Sequence, residues 1–292
     1  MILIIGYPTT YESTRLKEEL AKKNLNFKFI RWQDIVLPFK EIPELCLIRG
    51  SVDLDIHFAI PYMETIIEEL ERMGCITIPP LKMITKCDKA TTYLLWKKYL
   101  KKVIRMPESI ITVNLEKGIQ FLKNKKIAVF KPMVGGLGRG IELIKEDEVE
   151  KLENLVKKFG IIFLQEFIPN RDYDIRTVFI GDDFISQYIR YNPSDFRNNI
   201  HLGGQGRTIE QMEEMDPDIT QFCEKSEEIA YYLKAVIKFN MFGIDTIPSK
   251  DGKLYFLEIN PFFGFQGMDK TNNTDVAKKM VEFIIYILNN SH

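Results

Sequence analysis

The chain has 292 residues, 45% hydrophobic, 28% charged and 12% aromatic, which is enough apolar material for a large core and too much for a disordered chain. Forty Lys and Arg against 41 Asp and Glu leave a formal charge of −1, which argues against holding nucleic acid by bulk charge. No apolar run approaches the ~20 residues a bilayer span needs, Phe283–Leu288 being among the longest, and the N-terminal MILIIGYP lacks the basic flank and length of a secretory signal, so a cytoplasmic protein with no membrane partner is expected.

Ile2–Ile5 reads as a buried strand ending at Gly6, followed by a helix over Glu12–Lys23 with Leu16 and Leu20 at helical spacing. Phe27–Ile30 and Leu45–Ile48 read as strands, Phe58–Met73 as a helix ended by Gly74, and Cys75–Ile78 as a strand. Strands alternating with helices imply a parallel sheet, and Pro79-Pro80 places a domain edge after it. An amphipathic helix is predicted over Asp88–Lys102, with Asp88 near its N-cap. Strands over Ile127–Lys131, Ile141–Ile144 and Ile161–Gln165, with helices over Glu116–Lys123 and Glu146–Lys158, describe a small α+β unit around a glycine loop. Arg176–Ile180 and Phe184–Tyr191 flank the hairpin signal Gly181-Asp182-Asp183. Ile219–Phe239 reads as a long helix, Gly243–Ile247 and Leu254–Ile259 as strands joined at Asp251-Gly252, and Val276–Leu288 as a closing helix.

Two kinds of site are argued against. Cys46, Cys75, Cys87 and Cys223 contain no CxxC pair and read as buried thiols. His57, His201 and His292 make no HExxH, which rules out a histidine-rich metal site.

Three other features carry chemistry. Gly135, Gly136, Gly138 and Gly140 crowd the loop after a strand ending in Lys131; glycine lets backbone N–H groups approach phosphate oxygens, and lysine adds a compact charge. The loop is neither a Walker A sequence nor GxGxxG, and taken alone a flexible surface turn explains it as well. In LYFLEIN, Glu258 and Asn260 share one strand face, with Asp245 on the preceding strand. Two carboxylates and an amide oxygen make a hard-oxygen set suited to magnesium, which keeps positions for phosphates; charges at an exposed strand end are the alternative. Gln165-Glu166-Phe167-Ile168 ends a strand and offers backbone groups to a base edge with apolar cover, while Lys86 and Lys89 stand before a helix, where taken alone they read as plain surface lysines.

The order of these pieces, QEFI…DIR…FRNN…GG…GID…LEIN, resembles the ATP-grasp superfamily, and within it the RimK-like carboxylate–amine ligases, from about Arg49 to Asp275. The tail NPFFGFQGMDKTNNTDVAKKMV looks most like the archaeal ligases that add glutamate to tetrahydromethanopterin or deazaflavin coenzymes. Two details depart from the family pattern: the loop GGLGRG, where the protein-modifying members usually have a Gly-Thr-x-Gly form, and PFFGFQG after Asn260, with aromatic residues where many members have small ones. The resemblance implies an α/β, three-part ATP-grasp fold with an α+β lid and an N-terminal parallel-sheet domain: residues 1–84 on the substrate side, 85–168 as lid, and 169–292 bearing the metal site. It implies that Lys89, Lys131, Gly136 and Gly138 meet the phosphates of ATP, that Gln165, Glu166, Phe167 and Ile168 form the adenine hinge, and that Asp174 meets the ribose. Arg197 and Asn199 would lie next to the phosphates, with Arg197 and Lys131 meeting charge developed in catalysis. Asp245, Glu258 and Asn260 would hold two Mg²⁺ ions, with Mn²⁺ as a substitute.

The reaction so implied is ADP-forming amide synthesis through an acylphosphate, joining L-glutamate to a small-molecule acid, with a protein or carrier-protein C-terminus as the other acceptor and a non-catalytic ATP-binding module as the other class. A homodimer or homotetramer follows from the same resemblance. Arg49, at the carboxyl end of its strand, is expected to hold an acidic substrate group unless it is a plain surface arginine. Arg176 is expected either to clamp substrate or to pair with Asp174 or Asp172.

Overall fold

In the computed structural model, which describes residues 1–50, 56–85, 88–133 and 138–290, with the side chains of the second stretch from 59 onward, the unbroken apolar runs Ile2–Ile5 and Leu45–Ile48 become the buried centre of a parallel sheet. β1 (Ile2–Ile5) pairs with β2 (Phe27–Ile30) and β3 (Leu45–Ile48), and β3 pairs with β4 (Ile76–Ile78), all in parallel, in the order β2-β1-β3-β4. Two crossover helices cover its faces, α1 (Tyr11–Lys22) and α2 (Ile56–Arg72). Period-two alternation divides β1 between them: Ile2 and Ile4 pack with Leu16 and Leu20 of α1, while Leu3 and Ile5 pack with Ile66, Ile67 and Leu70 of α2.

After Pro79-Pro80 come α3 (Leu81–Ile84) and α4 (Lys89–Leu95). Asp88 caps α4 as its sequence predicts, accepting from the N–H groups of Ala90 at 2.8 Å and Thr91 at 2.9 Å. The expected α-helix does not run unchanged to Lys102. It widens into a π turn at Trp96–Leu100, where the Trp96 indole donates to Ile104 O at 2.8 Å.

The middle of the chain forms β5 (Ser109–Thr112), α5 (Leu115–Lys125), β6 (Ile127–Phe130), β7 (Glu142–Lys145), α6 (Val149–Phe159) and β8 (Ile162–Glu166). Its sheet is antiparallel, in the order β5-β8-β6-β7, and closes its own core of Leu122, Ala128, Phe130, Ile144, Leu152 and Leu164. β5 has no counterpart among the expected strands; it is four residues on a sheet edge, none of them buried.

The last part folds as β9 (Tyr173–Ile180), β10 (Asp183–Tyr191), β11 (Gln205–Arg207), α7 (Ile209–Glu213), α8 (Ile219–Ile237), β12 (Met241–Pro248), β13 (Leu254–Asn260), α9 (Gln266–Asn272) and α10 (Val276–Asn290). The sheet is antiparallel, β11-β10-β9-β12-β13, and the hairpin foreseen at Gly181-Asp182-Asp183 joins β9 to β10. One face packs Phe179, Phe242, Ile244 and Phe256 under α8. Leu95, Leu100 and Ile104 join this same cluster together with Met83 of α3, so α4 and the π turn, which the sequence division at 85 assigns to the lid, pack on the C-terminal sheet.

The other face has two halves. Toward one end Val178, Ile180, Tyr188 and Met241 join Val276, Met280 and Ile284 of α10 in a core continuous with Ile2, Ile4, Leu16 and Leu20. The N-terminal and C-terminal sheets therefore share one hydrophobic core. Toward the other end the same face is charged. Of the four cysteines expected to be buried thiols, Cys46, Cys75 and Cys223 are buried and free; Cys87 lies outside the described residues.

Met280 is fully buried in the shared core. Met280→Ala is expected to cost about 2–5 kcal/mol. Urea unfolding followed by far-UV circular dichroism and, in a Trp96→Phe background, by the fluorescence of Trp32 should shift to lower denaturant by the same amount with both probes. A shift in only one probe would show that the two sheets unfold separately.

Candidate active site

A cleft opens between the middle sheet and the C-terminal sheet, with a cavity of about 100 Å³. Its apolar walls come from Val129, Phe167, Ile168, Ile247 and Leu257. Phe167 and Phe196 meet edge to face across it, ring centres 6.4 Å apart. Gln165 is buried in the wall: its Nε2 donates to Ser109 Oγ at 3.0 Å, and that hydroxyl donates onward to Pro107 O at 2.8 Å. The Gln165 Oε1 and Asn198 Oδ1 atoms are buried without a hydrogen-bond partner among the described residues. A buried acceptor left unmade costs free energy, so a flat apolar slot with two waiting acceptors fits a heterocyclic base bearing N–H groups. Glu166 also lines the cleft, with its carboxylate turned toward Lys125 at 3.7 Å and the Glu108 N–H at 3.4 Å.

At the floor lies the charged half of the C-terminal sheet. The register sets Asp174 opposite Arg190, Arg176 opposite Asp245, and Asp245 opposite Glu258, with Gly243 opposite Asn260. A bulge between Asp245 and Thr246 makes this alignment by displacing Leu257. Arg176 grips Asp245 through Nε and through Nη2, the latter at 2.7 Å. Arg190 grips Asp174 at 2.6 and 2.8 Å and also reaches Asp245 Oδ2 at 2.9 Å. All four side chains are buried. Burial alone would raise the Asp245 carboxyl, but two guanidiniums outweigh it and hold it well below the usual carboxylate range. Asp174 is pushed up, first by burial and then by the Asp245 charge, against the pull of Arg190. Thus Arg176 is in an ion pair, as one of its two expected roles requires, but with Asp245 in place of Asp174 or Asp172.

Lys131 follows β6 and lines the same cleft. It is half-buried at the cleft wall. Loss of hydration lowers its pKa to about 8, with Glu258 and Asp245 acting to raise it and Lys89 to lower it further. Those couplings place Lys131, Lys89, Asp245 and Glu258 within one electrostatic neighbourhood. Glu258 and Asn260 share the face of Asp245, and Asn260 Oδ1 accepts from the Phe262 N–H at 2.9 Å. Among the described residues no three His, Cys, Asp or Glu side chains converge. The donors present, two carboxylates and one amide, are hard oxygens of the class that suits Mg²⁺ rather than zinc, but both Asp245 oxygens are taken by Arg176 and Arg190, which leaves Glu258 and Asn260 as the members of the set not held by a cation among the described residues.

Arg197 enters from the turn after β10. It is paired with Asp195, and its Nη1 donates across the cleft to Ile141 O at 3.3 Å. Gly138 sits against Asn199, where an added Cβ would lie 2.8 Å from Asn199 Oδ1, and its φ of +75° also favours glycine. Gly135, Gly136 and Lys86 lie outside the described residues. The structure therefore gathers Lys131, Gln165, Glu166, Phe167, Ile168, Asp174, Arg197 and Asn199 around one cleft.

Arg49 stands apart from it, and it is no surface arginine. Its Nη2 donates to Phe263 O at 2.8 Å, its guanidinium carbon lies 5.8 and 5.7 Å from the Phe263 and Phe265 ring centres, and its Nε has no partner among the described residues. Burial lowers its pKa to about 10.

Residues that the sequence reading missed include Arg190, Asp195, Phe196, Asn198, Ile247 and Leu257. Arg190 becomes visible only through the β9–β10 register, which puts it beside Asp174. Asp195 carried a local signal, the Asp-Phe-Arg spacing.

Residues 87–284 match the model of the RimK-like ATP-grasp domain. The chain is 26% identical over 217 residues to a tetrahydromethanopterin:alpha-L-glutamate ligase of Methanocaldococcus jannaschii, covering 71% of this chain and 70% of that one. It is 28% identical to a glutamate–LysW ligase, ArgX, of Sulfolobus acidocaldarius, covering 94% of each. Its fold superposes on the ATP-grasp ligase PsnB complexed with minimal precursor, Mg and ADP, with a TM-score of 0.67 at 16% identity, over 99% of this chain and 98% of that one.

Two outcomes are expected here. Between pH 8 and 10.5 an unfolded chain holds the Lys131 proton and the folded one does not, so the cost of burying this charge is present in full below pH 8 and fades as pH rises. Lys131→Met should therefore stabilise the ligand-free protein at pH 7 by about 1–3 kcal/mol, with the advantage shrinking toward pH 10; chemical denaturation at the two pH values measures it. Arg190→Leu should cost roughly 3–5 kcal/mol because it strands buried carboxylates, and Asp174→Leu added to it should recover part of that loss in the same assay.

Proposed function

The chain belongs to the RimK-like ATP-grasp family and is an ATP-dependent ligase; from that premise we propose that it adds L-glutamate to the carboxylate of a small cofactor-type acid, such as a tetrahydromethanopterin derivative, through an acylphosphate. The observation that carries this reading is the charged floor of the cleft, where Lys131 and Asp174 line a base-sized apolar slot and Lys131 is coupled to Asp245 and Glu258 of the adjoining network. The adenine occupies that slot, with Gln165 to Ile168 as its edge and Asp174 on the ribose side. Lys131, Lys89 and the loop carrying Gly136 and Gly138 hold the phosphates, with Asn199 beside them. Glu258 and Asn260, with Asp245 if it exchanges a guanidinium for the metal, would hold two Mg²⁺ ions, which would supply charge neutralisation.

The substrate carboxylate attacks the γ-phosphorus and ADP leaves. The amine nitrogen of glutamate then attacks the acyl carbon, the C–O bond to phosphate breaks, and the amine proton is lost to solvent. No covalent enzyme intermediate is needed, since phosphoryl transfer asks for position and neutralised charge. Arg197 and Lys131 meet the charge that develops, and closure of the middle sheet keeps water from the acylphosphate. Arg49 is the residue proposed for an acidic group of a substrate, and its unpartnered Nε supports that assignment; Arg176, bound to Asp245, keeps the structural role.

A carrier-protein C-terminus is the second reading of the acceptor, favoured by the Sulfolobus acidocaldarius relative, whose match runs the length of both chains. Release of ADP from Mg-ATP and glutamate, measured against pterin cofactors, deazaflavin coenzymes, carrier proteins and acidic peptides, separates the two. One acceptor should gain the mass of glutamate. Glu258→Gln should lower that turnover by ~100–1000-fold while the protein still folds; turnover near wild type would remove Glu258 from the metal site.

A further inference from the structure

Asp195 stands two residues before Arg197 and meets it edge to edge. Arg197 Nε donates to Oδ1 at 3.0 Å, Nη2 donates to Oδ2 at 2.7 Å, and the Arg197 backbone N–H donates to Oδ1 at 2.9 Å. The turn is fixed from behind as well. Asn192, buried at the end of β10, donates through Nδ2 to Arg197 O at 2.9 Å, and its own Oδ1 accepts from the Ser194 N–H at 3.3 Å. The guanidinium carbon lies 5.4 Å from the Phe196 ring centre, and Phe196 is itself a wall of the cleft. Two of the three guanidinium nitrogens are thereby committed. Nη1 remains, and it reaches across to Ile141 O on the strand side of the glycine loop.

The Asp195 and Arg197 side chains are 24% and 26% exposed, so water screens the pair and its contribution to stability is small. Direction is what such a pair supplies. A bidentate carboxylate admits one orientation of a planar fork, whereas a solvated arginine samples many. The hydrogen bond from Arg197 holds the Asp195 carboxyl below its ordinary range, so the clamp stays charged through neutral pH.

We propose that Asp195 is a positioning residue for Arg197. It occupies the Nε–Nη2 edge, so that Nη1 faces the cleft and bonds the backbone that leads from the glycine loop into β7. One carboxylate thus sets both where the cation points and where the middle sheet seats. The proposal rests on the ligase reading, which places Arg197 next to the transferred phosphoryl group.

Asp195→Asn tests it. The amide keeps an oxygen for the Arg197 backbone N–H, so the turn is retained, but the charge and the second acceptor are lost. Mg-ATP affinity by titration calorimetry, ADP release, thermal unfolding and the ¹⁵Nε–¹H resonance of Arg197 are compared with wild type. The Arg197 Nε–H should exchange slowly in the wild type and quickly in Asp195→Asn. ADP release should fall about 10- to 100-fold in kcat, with the Mg-ATP Kd changed less than about threefold. Asp195→Glu, which restores a carboxylate, should recover part of the lost rate. An Arg197 Nε–H signal unchanged in Asp195→Asn would overturn the proposal, as would a normal kcat, or a loss of rate and melting temperature together that Asp195→Glu does not relieve. Arg197→Ala separates the two levels. If it leaves ADP release intact, the placement of Arg197 in the ligase site fails. If it abolishes release while Asp195→Asn behaves as wild type, only the role of Asp195 falls.

Discussion

A guanidinium taken out of water must be met by carboxylates in good geometry, and two such guanidiniums share one face of the C-terminal sheet. Arg176 and Arg190 are balanced by Asp245 and Asp174, with Asp245 serving both. The attraction repays desolvation only if three strands stay in register. The opposite face of the sheet shows how that register is kept. Ser226 of α8 meets Thr177 Oγ1 at 2.8 Å and Thr246 Oγ1 at 3.0 Å, and Gln187 Nε2 donates to Thr177 Oγ1 at 3.0 Å, all of them buried. Thr177 follows Arg176 and Thr246 follows Asp245, so a satisfied hydroxyl network lies directly behind the charged one. Gly243 completes the arrangement: a Cβ there would stand 3.2 Å from Arg176 Cδ, and its absence leaves the arginine room to lie flat.

The balance of that floor shapes the cleft above it. With Arg176 and Arg190 matched by Asp174 and Asp245, the strong local fields come from Lys131, Lys89 and Glu258. A lysine whose pKa has fallen to about 8 is short of compensating negative charge. A polyphosphate supplies it, so anion binding relieves a cost that the fold already bears. The apolar slot next door has the complementary shortage, two buried oxygens in want of donors. A nucleotide meets both needs with one molecule, which is the physical sense in which these residue types belong together.

Much of this was legible in the chain itself. The two central N-terminal strands, β1 and β3, are continuous apolar runs, and such runs fold as buried parallel strands. Glycine and aspartate at Gly181-Asp182 marked a hairpin, and Asp88 marked a cap. Short elements escaped for a common reason: β5, β11 and α9 hold few buried apolar residues of their own and exist because neighbours pair with them. The charged floor escaped in part for a related reason. Side-chain alternation could put Glu258 and Asn260 on one face, but it could not tell that Asp245 would be claimed by Arg176 and Arg190, since that depends on the order of four strands and on one bulge. Arg49 shows the opposite case. Its place at the carboxyl end of β3 was readable, while its burial between Phe263 and Phe265 was not, because those aromatic residues lie more than two hundred positions away.

The distribution of hydrophobic cores has a mechanical consequence. By strand count the molecule has three sheets, but by packing it has two bodies. The N-terminal and C-terminal sheets are welded through Ile4, Leu16, Ile180, Met280 and their neighbours. The middle sheet keeps Leu122, Phe130, Ile144 and Leu152 to itself. It can swing away from the floor without wetting either core. The cross-cleft contacts of Arg197 with Ile141 O and of Phe167 with Phe196 are polar and aromatic, whereas the N-terminal sheet and the charged floor are joined through a shared core as one anvil.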